Sequence, residues 1–481
     1  MRRAKIVATL GPATSTYPDI RAIIDAGVDV CRMNLSHGTY DVHEGIYSIV
    51  RQAASDSGRA VAVLVDLQGP KIRLGKFEGG PYYLNEGDIF TITIDDVLGT
   101  KELSGTTFKG LPQDVSPGDF LLIDDGKVKV QVVESDDRTV TTKVIVAGNV
   151  SNNKGINLPG VAVNVPALSE KDEADLRWGL RLGADLIALS FVRDAKDVER
   201  VHEIMAEEGR RVPVIAKVEK PQAVDNLEEI IDAFDSIMVA RGDLGVELPL
   251  EAVPIVQKRA IELSRRMAKP VIVATQMLES MISSPIPTRA ETSDVANAVL
   301  DGADAVMLSG ETSVGEYPVI TVQTMARIVE STEVHGLDRI PALGTKPRTQ
   351  GGAVTLAAEE VANFVEAKYV VVFTESGDSV RRMSRLRSKI PMIGLTPEEG
   401  IRNRMALTWG VESYLTERVK HTDQLMVQVD EVLLSNKLAE AGDKVVVICG
   451  SPPGKSGTTN DMRIHVVGST LNPSKPEVIE N

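Results

Sequence analysis

The sequence predicts an α/β protein: a parallel (β/α)8 barrel, interrupted after its third strand by an all-β lid and followed by an open α/β domain. Three observations carry that reading. Eight short apolar runs, at 5–11, 28–34, 60–67, 185–191, 212–219, 236–242, 270–276 and 305–311, alternate with amphipathic helical patterns. The alternation breaks once, after Pro70, where short alternating strands rich in Gly, Thr, Asp and Val run on until helical pattern resumes near Ser169. Past a Pro/Gly/Thr-rich stretch at 341–352, strands and helices alternate again.

Each element has a local reason. An apolar run of six or seven residues bounded by Pro, Gly or Asp reads as a buried parallel strand. The helical patterns between them, such as 17–26, 195–208 and 250–268, often open on Asp, Ser or Pro and close on Gly, the residues that suit helix ends. Within the insertion, Glu86-Gly87-Asp88, Pro117-Gly118-Asp119 and Asp124-Asp125-Gly126 supply turn chemistry. In the carboxyl-terminal part, strands are expected at 369–373, 392–395 and 444–449. The expected division is a barrel over 1–70 and 167–342, a lid over 71–166 hinged near Pro70 and Pro166, and a third domain over 343–481.

Composition narrows the function. The chain has 481 residues, 43% hydrophobic and 4% aromatic, enough for two or three domains with full cores. Lys+Arg 53 against Asp+Glu 68 leaves a net charge of -15 with no dense basic run, which argues against nucleic acid or an anionic membrane and for small-molecule partners. The basic start, Arg2, Arg3 and Lys5, precedes an apolar stretch that Gly11 and Pro12 stop too early for a signal peptide, and no run is long enough to span a membrane. Cys31 and Cys449 lie far apart in strand-like runs, which predicts two buried thiols, a reducing cytoplasm and no disulfide framework.

The chemistry is read from the strand tips. Glu219 and Asp243 each follow an apolar run, beside Lys217 or Arg241. A carboxylate in such a place is strongly penalised unless it is paired or bound to a metal, and in barrels these carboxyl-terminal tips carry the active site. All eight tips are polar: Thr9, Arg32 to His37, Asp66 to Arg73, Ser190 and Arg193, Lys217 and Glu219, Arg241 to Asp243, Thr275 and Gln276, and Ser309 to Thr312. Arg32, Arg73 and Lys217 offer donors to phosphate or carboxylate oxygens, while Glu219 and Asp243 suit Mg²⁺ or Mn²⁺. Cations plus a hard metal imply a highly anionic substrate.

At this point six motifs, in order, carry a resemblance to the pyruvate kinase family: Arg32-Met-Asn-Leu-Ser-His37, Asn157-Leu-Pro-Gly160, Leu168-Ser-Glu-Lys-Asp172, Ala240-Arg-Gly-Asp-Leu-Gly245, Ala274-Thr-Gln-Met-Leu-Glu-Ser-Met281 and Met307-Leu-Ser-Gly-Glu-Thr312. The resemblance implies transfer of the phosphoryl group of phosphoenolpyruvate to ADP, giving pyruvate and ATP, by a cytoplasmic homotetramer with a TIM barrel. Glu219 and Asp243 match the Mg²⁺ ligands, Lys217 the lysine beside the transferring phosphoryl, and Arg32 its grip. Gly242, Asp243 and Thr275 match the cradle of the substrate carboxylate, with the Thr275 hydroxyl near the carbon to be protonated. Arg73, Asn34, Leu35, Ser36, His37 and the lid residue Lys154 match nucleotide contacts.

Two features depart from simple transfer. The family's monovalent-cation pocket corresponds to Asn34, Ser36, Asp66 and the Leu67 carbonyl, but where many relatives carry Thr-Lys-Gly-Pro-Glu this chain reads Leu67-Gln-Gly-Pro-Lys71. An ammonium there would replace the charge of K⁺, so potassium is expected to be dispensable. The resemblance also implies an effector site for a phosphorylated metabolite at Thr374, Ser376, Ser379, Gly454 and Ser456. Because Glu375 and Asp378 would repel a doubly phosphorylated sugar, AMP or a hexose monophosphate is expected rather than fructose 1,6-bisphosphate. A barrel lyase working through a metal enolate would not need Arg73, Lys154 or a lid, and a silent metabolite sensor would have lost Lys217 or a metal ligand.

Overall fold

A computed structural model of the chain describes residues 2–124, 126–161 and 166–470. Eight parallel strands close a barrel in chain order: β1 (Lys5–Thr9), β2 (Val30–Asn34), β3 (Ala62–Asp66), β4 (Leu186–Leu189), β5 (Val214–Val218), β6 (Ser236–Ala240), β7 (Val271–Ala274) and β8 (Ala305–Leu308). Closure is through β8 against β1, with Lys5 opposite Ala305. All eight predicted runs form, each strand shorter than its run, and in every strand but β2 the last residues of the run leave the ladder to build the mouth. On β7 the departure is abrupt: Thr275 and Gln276 adopt φ of +71° and +55°.

The side-chain alternation of a strand divides these residues into two sets. Val7, Val30, Leu64, Ala188, Ile215, Met238, Ile272 and Met307 fill the barrel interior, and Ala406 and Leu407 of the carboxyl-terminal domain join that interior cluster. Cys31, Val63, Ile187, Val214, Ile237, Val273 and Val306 face outward and pack against the helices. The helix predicted at 17–26 forms as Tyr17–Ala26, closed by Gly27 at φ +123°, where an L side chain would be strained.

The lid follows β3. Its six-stranded sheet runs in the order Ile156–Asn157, Phe120–Ile123, Val128–Ser135, Thr139–Val146, Ile89–Thr93 and Leu103–Gly105, around a core of its own that includes Leu74, Phe90, Leu121 and Val130. The turn signals hold at Gly87 and Gly118, both with positive φ, while Asp125 of the third lies outside the described residues.

In the carboxyl-terminal domain, β9 (Tyr369–Phe373), β10 (Met392–Thr396), β11 (Val411–Leu415), β12 (Lys444–Gly450) and β13 (Thr459–Val466) lie in the order β11-β10-β9-β12-β13, the last antiparallel. The edge strands β11 and β13 go beyond the three runs singled out in the sequence. Their interleaved Glu, Ser, Asn, Asp, Arg and His residues give no apolar run to read. Cys31 and Cys449 are buried free thiols, and burial pushes each up to about 12. No described helix is long and apolar enough to cross a membrane.

Candidate active site

The same alternation that packs the interior delivers the chemistry. Positions two residues beyond the interior apolar residues are Thr9 on β1, Arg32 on β2, Asp66 on β3 and Lys217 on β5, with Ser190 and Glu219 just past the ends of β4 and β5. They converge at the carboxyl-terminal mouth. Arg32 donates from Nε to Asp66 Oδ2 at 2.7 Å and from Nη1 to Thr9 Oγ1 at 2.9 Å. Lys217 Nζ donates to Ser190 Oγ at 2.7 Å and lies 2.9 Å from Glu219 Oε1 and 3.5 Å from Asp66 Oδ1. Ser190 in turn donates to the Leu67 carbonyl at 2.7 Å, so the ammonium is fixed from the neighbouring strands.

Burial opposes the charge on Lys217, but Asp66 and Glu219 outweigh it and hold the ammonium above its ordinary range. Glu219 is only 1% exposed. Burial raises its carboxyl, the Lys217 ammonium opposes, and the nearby Asp243 raises it further. Its Oε2 accepts the Phe191 N–H at 2.8 Å, whereas Oε1 is buried without an aligned hydrogen-bond donor, as is Asp66 Oδ1. Packing behind this point is tight: Gly69 has φ +74°, and a Cβ there would lie 2.6 Å from the Phe191 ring and 2.8 Å from Ser190 Cβ.

These observations fit a divalent ion. Asp66, Glu219 and Asp243 bring three carboxylates toward the mouth against the two cations Arg32 and Lys217, and Glu219 Oε1 has the Lys217 ammonium at 2.9 Å but no aligned donor. Among the described residues no group of three or more His, Cys, Asp and Glu could hold a metal. Two carboxylates with substrate oxygens and water in the other positions is the arrangement Mg²⁺ favours.

Asp243 sits in the first turn of the helix Arg241–Glu247, which starts where β6 ends. The Gly242 N–H donates to Thr275 Oγ1 at 2.7 Å, and that hydroxyl donates to the Ala274 carbonyl at 2.6 Å. A β-branched residue at positive φ is costly and persists only when its surroundings impose it. Here Arg241 imposes it. Its Nη2 donates to the Thr275 carbonyl at 2.8 Å and its guanidinium pairs with Asp294 at 2.7 Å. Arg241, a polar strand-tip residue next to Asp243 in the sequence, therefore braces the Thr275 turn. Glu311 is likewise a brace, accepting the Ser309 N–H at 2.6 Å and the Leu278 N–H at 3.2 Å.

The residues expected to hold the nucleotide fall on the β2 tip and the lid. Asn34 Oδ1 accepts the Ser36 N–H at 3.2 Å, Leu35 is buried, and His37 is exposed. Arg73 donates to the Asn153 carbonyl at 3.1 Å, and Lys154 pairs with Asp124 at 2.9 Å, both within the lid. Of the monovalent pocket, Asn34 and Asp66 are register partners, but Asp66 already holds Arg32 and Leu67 already accepts from Ser190. Lys71 makes no ion pair with Asp66. Its side chain lies against Gly155 of the lid, where a Cβ would meet Lys71 Cε at 3.0 Å.

Four contributors escaped the sequence reading. Glu247, nearly buried, pairs with Lys220 at 2.5 Å and accepts from Asn157 of the lid at 3.2 Å, joining the end of the Asp243 helix to the lid. Lys171 donates to the Leu35 carbonyl at 3.1 Å and steadies the β2 tip. In the carboxyl-terminal domain, Thr374, Ser376, Ser379, Gly454 and Ser456 line one cavity of about 170 Å³, and Arg418 lines it too. That cavity lies beyond the carboxyl ends of β9 and β12, where the strand order reverses, the usual ligand position in an open α/β sheet. Lys171 lies in the Leu168 to Asp172 motif but its contact with the β2 tip does not show there, and Lys220, Glu247 and Arg418 have no signal in the chain itself, because these contacts are to partners 20 or more positions away.

Comparison with known proteins gives a consistent picture. Residues 1–322 match the family described as pyruvate kinase, barrel domain, and residues 352–465 match pyruvate kinase, alpha/beta domain. A pyruvate kinase of Corynebacterium glutamicum is 55% identical over 467 residues, covering 97% of this chain and 98% of the relative. One of Mycobacterium tuberculosis is 54% identical over 469 residues, covering 97% and 99%. The crystal structure of a pyruvate kinase from Cryptosporidium parvum superposes with a TM-score of 0.90 at 34% identity, covering 97% of this chain and 96% of that one.

Proposed function

Because the chain belongs to the pyruvate kinase family of phosphotransferases, we propose that its barrel mouth transfers the phosphoryl group of phosphoenolpyruvate to ADP, giving pyruvate and ATP in glycolysis. The observation that supports this best is the Lys217 ammonium fixed between Ser190, Glu219 and Asp66, with the buried Glu219 Oε1 facing that ammonium and no aligned donor. Glu219 and Asp243 hold Mg²⁺, which when bound neutralises phosphoryl and carboxylate oxygens. Arg32 grips the phosphoryl group, and Lys217 meets the charge that spreads over its oxygens and onto the enolate during transfer. Gly242, Asp243 and Thr275 orient the substrate carboxylate, and the Thr275 hydroxyl faces the carbon that gains a proton. Asn34, Leu35, Ser36, His37, Arg73 and Lys154 hold the nucleotide. Closure of the lid excludes water, so that the phosphoryl group goes to ADP rather than to hydrolysis. A coupled assay for pyruvate tests the reading: turnover should require ADP, whereas pyruvate release without ADP would indicate a lyase and no turnover a sensor.

Potassium is dispensable in this reading, since Lys71 brings an ammonium where potassium-requiring relatives have glutamate. Wild-type activity should persist in tetramethylammonium buffer, and Lys71→Glu should make it depend on K⁺. Collapse of wild-type activity without K⁺, with Lys71→Glu behaving alike, overturns the idea.

The protein works as a cytoplasmic homotetramer whose switch-point cavity takes a phosphate monoester such as AMP or a hexose monophosphate. Glu375 and Asp378 line that cavity, and Glu375 already pairs with Arg418 at 3.2 Å, leaving little to balance a second phosphate. Calorimetry should give saturable binding of a monophosphate and weaker or no binding of fructose 1,6-bisphosphate. Heat from none of them would reduce the 374–379 and 451–458 loops to plain turns.

A further inference from the structure

Before any metal arrives, the mouth sets two like charges against each other. Glu219 follows the end of β5 and Asp243 lies in the first turn of the helix Arg241–Glu247. Burial raises the Glu219 carboxyl and the Asp243 carboxylate raises it further, so in the metal-free protein the β5 tip and that helix repel. A second contact between the same two segments opposes this. Lys220, the residue after Glu219, donates from Nζ to Glu247 Oε1 at 2.5 Å, and Glu247 stands one helical turn from Asp243 on the same side of the helix. The Glu247 side chain is 1% exposed and that of Lys220 20%. At that burial solvent screens the pair little, so it holds the two segments at a fixed spacing. The Lys220 ammonium also lies 5.6 Å from the centroid of the Phe191 ring, and the Phe191 N–H donates to Glu219 Oε2 at 2.8 Å.

The lid arrives at the same oxygen. Asn157, on the lid strand Ile156–Asn157, is buried and donates from Nδ2 to Glu247 Oε1 at 3.2 Å. Its own sheet holds it in place: Asn157 is the register partner of Leu122, and the Ile156 N–H donates to the Ile72 carbonyl at 2.9 Å. One carboxylate oxygen therefore receives a cation from the Glu219 turn and an amide from the lid. A shift of the helix or of the turn moves the group to which the lid is bound.

We infer that Glu247 is a positioning residue for the divalent-ion site and the joint that couples this site to the lid, an inference that rests on Glu219 and Asp243 taking the ion as proposed above. The Lys220–Glu247 pair holds the two ligand-bearing segments together against their repulsion, so less of the binding free energy is spent on bringing them into place. Through Asn157 the same arrangement holds the lid strand. The ion therefore slows lid opening, and by reciprocity a freed lid weakens the ion by the same factor.

Titration of the full-length protein with Mn²⁺, read by the electron paramagnetic resonance of the free ion, and hydrogen exchange of the lid amides test this without turnover. Wild type should bind Mn²⁺ saturably, and the ion should slow lid exchange about threefold. Glu247→Gln and Lys220→Met should each weaken Mn²⁺ by at least about tenfold. Lys220→Arg, which keeps the cation and its hydrogen bond, should stay within about threefold. Asn157→Ala should weaken the ion by about threefold and abolish the effect of the ion on lid exchange. The double variant Lys220→Met with Glu247→Gln leaves no unpaired buried charge, so it should melt near wild type yet bind Mn²⁺ as weakly as the single variants. A purely structural pair would regain affinity along with stability. Thermal melts show which variants fold, and the double variant carries the expectation should a single one fail. A wild type that takes no Mn²⁺ overturns the metal reading of the mouth and this inference with it. Where wild type binds, the inference alone is overturned by folded Glu247→Gln and Lys220→Met within about twofold of it, by a double variant that regains affinity, or by lid exchange that ignores the ion or answers it equally in Asn157→Ala.

Discussion

Lys217→Met is expected to lower turnover by roughly three orders of magnitude, about 4 kcal/mol of transition-state stabilisation, while the Michaelis constant for phosphoenolpyruvate moves only a few-fold. The reason is geometric. Ser190, Glu219 and Asp66 hold the ammonium before any substrate arrives, so no reorganisation is needed when charge develops. Two carboxylates keep it above the ordinary lysine range, so it remains charged throughout neutral pH and contributes no limb to the pH profile there. Arg32 still grips the phosphoryl group in the variant, which is why affinity should survive. Steady-state kinetics in the coupled assay, with a thermal melt to establish folding, measure this. A folded variant within about tenfold of wild-type turnover would remove Lys217 from the chemistry.

How much of this was legible in the chain depends on the range of the interaction. The barrel strands could be read because a parallel strand buried on both faces is a continuous apolar run, and β5 and β6 are such runs. The mouth could be read because alternation along β2, β3 and β5 puts Arg32, Asp66 and Lys217 on the interior face, where a charged residue is tolerated only at the end. What a residue does once there could not be read. Arg241 stands next to Gly242 and Asp243 in sequence, yet its guanidinium runs to Asp294 on another helix and fixes Thr275 from behind. The Lys220, Glu247 and Asn157 clasp is built between segments whose separation no periodicity encodes. Lys71 shows the converse limit: its identity was visible, but its place against Gly155 depends on how the irregular segment after β3 enters the lid.

Glu219→Gln tests the other half of the mouth, and its expected effects separate function from folding. With Arg32 and Lys217 facing Asp66, Glu219 and Asp243, the metal-free site carries one negative charge in excess, and burial already raises the Glu219 carboxyl. The amide removes that excess, leaves Lys217 with Asp66 at 3.5 Å, and can still accept from the Phe191 N–H. The metal-free variant should therefore melt no lower than wild type, within the few degrees that about 1 kcal/mol represents. Metal binding should suffer far more. An anionic ligand to a hard cation is lost, so Mg²⁺ affinity should fall by at least about a hundredfold and the melting-temperature gain on adding Mg²⁺ should disappear. Turnover should fall with it, and only in part be recovered by saturating Mg²⁺ or Mn²⁺. Both quantities come from thermal melts across a metal titration. A variant that keeps its Mg²⁺-dependent gain would show that the Glu219 carboxylate does not take the metal, whereas a metal-free protein that melts far lower would make Glu219 a structural partner of Lys217, its energetic value lying in the pair.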